Sequence, residues 1–129
     1  SHTISCIRSD LKDNFLITGD ISGHVIVWRI TNNHRLTFYN EMRDHHKQIT
    51  SIFISYDLRC LFTSSMDGSV YGYNIITLRK MKVFYHPKLL PISNFIVSTS
   101  PLPVIVIFSN EESIIYCFSI NGQLIQRVP

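Results

Sequence analysis

Three stretches decide the fold: HVIVWRI at 24–30, SVYGYNI at 69–75 and IIYCFSI at 114–120. Each closes on isoleucine, at Ile30, Ile75 and Ile120, so successive copies stand 45 residues apart. An aromatic residue (Trp28, Tyr73 or Phe118) stands just before the residue that precedes each isoleucine, and Val25, Val70 or Ile115 lies further upstream at matching positions. The offset continues without gaps. Ile4 aligns with Ile49, Ile7 with Ile52 and Val97, Leu16 with Leu61 and Val106, Thr18 with Thr63, and Gly23 with Gly68.

A 45-residue period over three copies falls in the range of repeats that fold as four-stranded blades. Each copy reads as strands. In the second, ITSIFIS (49–55), CLFTSS (60–65), SVYGYNI (69–75) and KMKVFY (80–85) are short, β-branched and aromatic, with turn-forming residues between them. Asp67-Gly68 and Asn121-Gly122 are hairpin turns, because both residue types tolerate positive φ. No window carries the period of an amphipathic helix. The expected fold is all-β, with four antiparallel strands (a to d) per copy. The blades are expected at about 1–42, 43–86 and 87–129 of a single partial propeller. Propellers close with about 4–8 blades, so three form an open arc. Its end faces invite further blades of a larger protein, self-association of two copies, or an irregular third copy that seals one face.

The second copy resembles a WD40 repeat. Asp44-His45, ITSIFIS, Thr63, Asp67-Gly68 and Tyr73-Asn74 stand where that family carries Gly-His, a strand, Ser/Thr, Asp-Gly and an aromatic-Asp pair. The resemblance implies a hydrogen-bonded tetrad of His45, Thr63, Asp67 and Tyr73, with tyrosine in place of tryptophan. The first copy keeps Thr18 and Trp28, has Ser22 at the turn position with Asp20 nearby, and would have its histidine before residue 1, although Ser1-His2 also reads as a tag remnant. In the third copy Phe108, Glu112, Ser113 and Phe118 hold the motif positions. Residues 101–125 further resemble the late WD40 repeats of BEACH-domain proteins, the neurobeachin and beige group, on the run Phe118-Ser119-Ile120-Asn121-Gly122. That resemblance implies a scaffold active in membrane traffic.

Composition narrows the function. Apolar residues make up 45% and charged residues 16%, which supplies a core and argues against disorder. Twelve basic against nine acidic residues give a net charge of +3, too mild to imply nucleic acid. Cys6, Cys60 and Cys117 are odd in number, share no CxxC spacing and read as buried thiols of a cytoplasmic protein. No Gly-rich phosphate loop and no G-x-S-x-G elbow occurs. No catalytic residue, metal ligand or cofactor is expected. His45-His46 lacks converging ligands, and Glu111-Glu112 reads as a solvated turn.

The expected function is a non-enzymatic protein-interaction scaffold. In the WD40 family a partner or peptide docks on the top face, made by the d–a and b–c loops. On that resemblance the face would carry Ile21, Arg43, His46, Lys47, Met66 and Lys88. The alternative is a peripheral membrane module. No acidic residue lies between Gly68 and Asn110, whereas Arg79, Lys80, Lys82, His86 and Lys88 do. Two-residue spacing on a strand would put Lys80 and Lys82 on one face, toward anionic lipid. Leu89-Leu90, held between Pro87 and Pro91, calls for burial under a neighbouring blade or a docking ridge.

Overall fold

The computed structural model describes residues 3–10, 12 and 14–129; Ser1 and His2 lie outside them, as do Leu11 and Asp13. The described residues form twelve strands and no helix. Blade 1 holds β1 (Ile4–Asp10), β2 (Phe15–Asp20), β3 (Val25–Ile30) and β4 (Leu36–Met42). Blade 2 holds β5 (Ile49–Ser55), β6 (Cys60–Ser65), β7 (Ser69–Asn74) and β8 (Lys80–Tyr85). Blade 3 holds β9 (Asn94–Ser98), β10 (Val104–Phe108), β11 (Ile115–Ser119) and β12 (Leu124–Val128). Each blade is a four-stranded antiparallel meander in chain order. The architecture is therefore three four-stranded antiparallel blades of a partial, open propeller, as the repeat predicts.

The turns follow from residue type. Gly23, Gly68 and Gly122 take φ of +97°, +88° and +93°, a region open to glycine and costly for most other residues. The alternation on each strand then sorts side chains between two faces. Ile17, Val25 and Val27 of blade 1 pack on Ile54, Leu61 and Tyr73 of blade 2. On the other face of blade 2, Cys60, Phe62, Val70 and Phe84 pack on Ile105, Ile107, Tyr116 and Phe118 of blade 3. Every residue of β6 is buried, because blade 2 is covered on both sides.

The innermost strands lock to one another by polar bonds as well. Ser5 Oγ donates to the Ile49 carbonyl at 2.6 Å, and Arg8 Nε donates to that of Ile52 at 3.0 Å. At the far end of β1 the Tyr56 hydroxyl donates to Asp10 Oδ1 at 2.5 Å. A bulge between Ile4 and Cys6 recurs between Ile49 and Ser51, at the same place in the period.

Blade 3 departs from the alignment read in the sequence. In blade 2 Thr63 lies between Ile52 and Tyr71; in blade 3 Ile107, not Phe108, takes that place, between Phe95 and Tyr116. A simple 45-residue offset therefore slips on β9 and β10, where one residue of slip moves a side chain to the other face. Phe108 accordingly points to the outer face of the arc. That face carries Ile96, Phe108 and Ile115, exposed by 62%, 36% and 43%. The opposite end face, on blade 1, carries Ile4 and Phe38, exposed by 57% and 60%, around a half-buried Trp28.

Candidate functional site

The polar centre of the molecule lies at the interface of blades 1 and 2. His45 sits in the β4–β5 loop with its imidazole fully buried. Its Nε2 is 2.7 Å from Thr63 Oγ1, and its Nδ1 is 2.9 Å from Ser69 Oγ and 3.3 Å from Asp67 Oδ2. Asp67, in the β6–β7 turn, also accepts the Ser69 hydroxyl and the backbone N–H groups of Ser69 and His46, each N–H at 2.9 Å. Burial by itself would raise the Asp67 carboxyl. The hydrogen bonds from His45, Ser69 and the His46 N–H outweigh it and hold the group far below the usual carboxylate range. The Tyr71 ring stacks on the imidazole, with centroids 4.4 Å apart. Tyr73 completes the group from a different side: its hydroxyl donates to Asp44 Oδ2 at 2.8 Å. Burial, and then the Asp44 carboxylate, push that phenol well above its ordinary value. A hydroxyl, an imidazole and a carboxylate in series resemble a hydrolytic triad. Thr63 is entirely buried, however, so no substrate reaches its oxygen. What the arrangement does is fasten the β4–β5 loop to the β6–β7 turn.

Blades 1 and 3 reach the same end by other residues. In blade 1 Trp28 Nε1 donates to Thr18 Oγ1 at 3.0 Å. Asp20 organises the turn that Ser22 cannot, accepting from the Ser22 hydroxyl and N–H (both 2.9 Å) and from the His24 N–H (3.0 Å). In blade 3 the buried histidine is His86. It contacts the Tyr116 ring at 4.8 Å between centroids, as His45 contacts Tyr71. The Lys88 N–H donates to His86 Nδ1 at 3.0 Å, which leaves Nε2 to carry the proton. That nitrogen lies 2.7 Å from Glu112 Oε1, a close polar contact outside good hydrogen-bond angles. The Tyr116 hydroxyl, ahead of Lys88 and His86, lowers the Glu112 carboxyl. Ile107 supplies no hydroxyl here, so glutamate takes over the polar partnership that Thr63 holds in blade 2.

These networks set the loops of one end of the arc. The turn glycines allow the loops to nest: a Cβ on Gly23 would lie 2.6 Å from the His45 carbonyl oxygen, and one on Gly68 would lie 2.9 Å from the Leu89 backbone. At the inner rim the loops surround a cleft of about 300 Å³, bordered by Gln48, Thr50, Met66, Pro91, Ser93 and Asn110. Met66 is 39% exposed beside it, Ile21 is 48% exposed on blade 1, and His46 and Lys47 are exposed between them. Arg43 and Lys88 are already engaged. Arg43 grips Glu41 through Nε at 2.5 Å and Nη2 at 3.3 Å, and Lys88 Nζ lies 3.3 Å from Glu112 Oε2.

Comparison with known proteins bears on residues 36–74, which run from β4 to the end of β7 and contain the whole His45 network. They match the family described as WD domain, G-beta repeat. Over this stretch the chain is thus similar to a WD40 repeat. An uncharacterized WD repeat-containing protein, L344, of Acanthamoeba polyphaga mimivirus is 25% identical over 80 residues. The pre-rRNA-processing protein crb3/ipi3 of Schizosaccharomyces pombe is 30% identical over 73 residues. These matches take in 62% and 57% of this chain but 15% and 16% of the relatives. Among solved structures, the Cps50 (Swd1) β-propeller domain of Myceliophteria thermophila superposes on 98% of the chain with TM-score 0.78 and 19% identity. The Pan2 WD40 domain of Neurospora crassa superposes on 99% with TM-score 0.81 and 14% identity. The chain spans 37% and 38% of those two structures.

Within this WD40 frame, several sequence readings change. Lys80 and Lys82 do not share a face. A bulge on β8 pairs Lys80 with Tyr73 but Lys82 with Gly72, and adjacent residues of β7 point to opposite sides. Lys80 turns toward blade 1, 3.8 Å from Asp44 Oδ1 and 4.4 Å from the Tyr71 centroid. Arg79 and Lys88 lie at opposite ends of the blade, and His86 is buried, so these residues form no single basic patch. Glu112 is an ion-pair partner rather than a solvated turn residue. Cys60 is buried, whereas Cys6 and Cys117 are half-buried. Leu89 is 61% exposed, and it is Ile92 that is fully buried as the plug of that loop. Sequence reading missed His86 as the counterpart of His45. The available signal was a histidine directly after β8, but the β8–β9 loop is longer than the β4–β5 loop and moves it off the period.

Proposed function

We propose that the chain contributes three blades to a propeller that serves as a non-enzymatic protein-interaction scaffold, with a peptide or partner domain docking on the end that carries the β4–β5 and β8–β9 loops. The observation that carries this reading is the cleft of about 300 Å³ at the inner rim, beside exposed Met66 and next to loops fastened from below by buried networks. Loops held by such a scaffold present fixed geometry to a partner. Ile21 and Met66 supply apolar contact. Lys47 is exposed with no acidic side chain paired to it among the described residues, which suits an acidic segment of the partner. Three free thiols suit a reducing, cytoplasmic setting.

The remainder of the ring is assigned to further blades of a larger protein. Three blades fill 37% and 38% of the two matched propellers, leaving length for more than three others of this size. A second copy would close the ring at six. Light scattering after size exclusion tests this: a discrete dimer overturns it. A BEACH-type parent rests on the Phe118-to-Gly122 run alone, and none of the relatives above carries that description. The lipid alternative has weak support, since Arg79, Lys80 and Lys82 share no face; vesicle sedimentation is expected to be unaffected by Lys80→Glu plus Lys82→Glu.

The docking reading is tested by affinity capture with Lys47→Glu plus Met66→Asp. The expected result is loss of the partners held by the unmodified protein, with an unchanged melting temperature. Retention of every partner overturns the reading.

A further inference from the structure

At the opposite end of the molecule a second cavity opens between blades 1 and 2, with a volume of about 260 Å³. Both blades that form it are present, so it owes nothing to the open ends of the arc. Ile17 and Phe15 line one wall, Ile54, Leu61 and Ile75 the other, and the exposed Ile76 stands at the rim. A dry cavity of about 150 Å³ lined by such side chains already holds a benzene ring, so this one takes a leucine, isoleucine or phenylalanine side chain.

One group in the wall is not apolar. Asp10, 97% buried, borders the inner end. Its Oδ1 receives the Tyr56 hydroxyl at 2.5 Å and the Lys12 N–H at 3.1 Å. No hydrogen bond to its Oδ2 is made among the described residues, so that oxygen is available to a donor at the cavity border. At the outer end the sign reverses. The bulge on β4 brings Tyr39 against Phe15, and the Arg29 guanidinium lies 5.6 Å from the Phe15 centroid and 4.9 Å from that of Tyr39. The cavity is thus bordered by strands β1 to β4 in turn, which at a spacing of about 4.8 Å is the length of some four extended residues.

We propose that this cleft binds a short extended peptide that carries one large apolar side chain flanked by lysine or arginine. The apolar side chain fills the cavity, the basic neighbour pairs with Asp10 Oδ2, and Arg29 receives a carboxylate at the other end. Charge complementarity along the groove sets the direction of the peptide. This site is separate from the docking surface proposed above and stands without it.

The test uses the whole chain, labelled at isoleucine, leucine and valine methyls, and acetylated, amidated pentapeptides with central leucine or phenylalanine and either lysine or glutamine beside it. The expected result is saturable shifts of the Ile17, Ile54, Leu61 and Ile75 methyls, with the lysine peptides binding about tenfold tighter than the glutamine peptides. Asp10→Asn should abolish that preference. Because Asp10→Asn also loosens Tyr56, the exposed Ile76→Ser is read in parallel and should weaken every peptide about fivefold. Absence of shifts at millimolar peptide, shifts confined to the Met66 end, or equal binding of lysine and glutamine peptides would each overturn the proposal.

Discussion

Replacing Thr63 by valine removes a fully buried hydroxyl and leaves the shape almost unchanged. Thr63 Oγ1 lies 2.7 Å from His45 Nε2, and both side chains are completely buried. The imidazole nitrogen then faces a methyl group with no route to water. An orphaned buried polar atom costs about 1–3 kcal/mol, and the added methyl returns at most about 0.8 kcal/mol. The expected loss is about 2 kcal/mol, a large part of the roughly 5–15 kcal/mol that holds a domain folded. With a urea m-value of about 2 kcal/mol/M, the midpoint should fall by about 1 M. The blade 1 counterpart provides the control. Thr18 accepts from Trp28 Nε1 at 3.0 Å, but that indole is half-buried and can turn to solvent, so Thr18→Val should cost under about 1 kcal/mol. A double-mutant cycle of Thr63→Val with His45→Ala should show a coupling of about 1 kcal/mol or more. If Thr63→Val stays within about 0.5 kcal/mol of the parent, or the cycle is additive, the His45 network does not fasten the loop.

Other outcomes follow from the same geometry. Asp67 titrates lower folded than unfolded, so the stability it contributes is present above its unfolded value of about 3.9 and is lost as pH falls through the folded value. Urea midpoints should therefore hold steady down to about pH 5 and then drop, and Asp67→Asn should be weaker at neutral pH with a flatter acid limb. Gly68→Ala combines positive φ with a Cβ 2.9 Å from the Leu89 backbone and should cost more than the roughly 1 kcal/mol of conformational strain alone, measured by thermal melting. Ile107→Ala empties a fully buried position between blades 2 and 3 and should cost about 2–5 kcal/mol by denaturant unfolding. A thiol reagent should label Cys117 and Cys6 in the folded protein and reach Cys60, which is 1% exposed, only after unfolding.

The architecture was legible because Ile30, Ile75 and Ile120, with their aromatic neighbours, lie on β3, β7 and β11 or directly after them. These strands pack against the next blade, and packing tolerates no drift in their spacing. His45, Thr63 and Asp67 were legible for the same reason, being fixed to that frame by short turns. What stayed hidden depended on insertions and bulges. His86 was displaced by a longer loop, and Lys80 and Lys82 were parted by one extra residue in β8, an event that leaves no mark on composition. Asp20 replaced the turn aspartate from a different position because its carboxylate reaches the same N–H groups from the end of β2. In blade 3 the loss of a threonine disguised a working network, since Glu112 and Tyr116 belong to no recognisable pattern until the fold brings them to His86.

The complete burial of β6 has a consequence in time. An amide can trade its proton for deuterium only when its hydrogen bond opens and solvent arrives, and for β6 that requires blade 1 or blade 3 to move aside. Each outer blade rests on a single neighbour, so opening should begin at the two ends of the arc and travel inward. β12, exposed at all five residues, should exchange at the fastest rate of any strand, and β6 should carry its original protons until the molecule unfolds as a whole. Deuterium uptake would thus order the strands by their distance from the central blade.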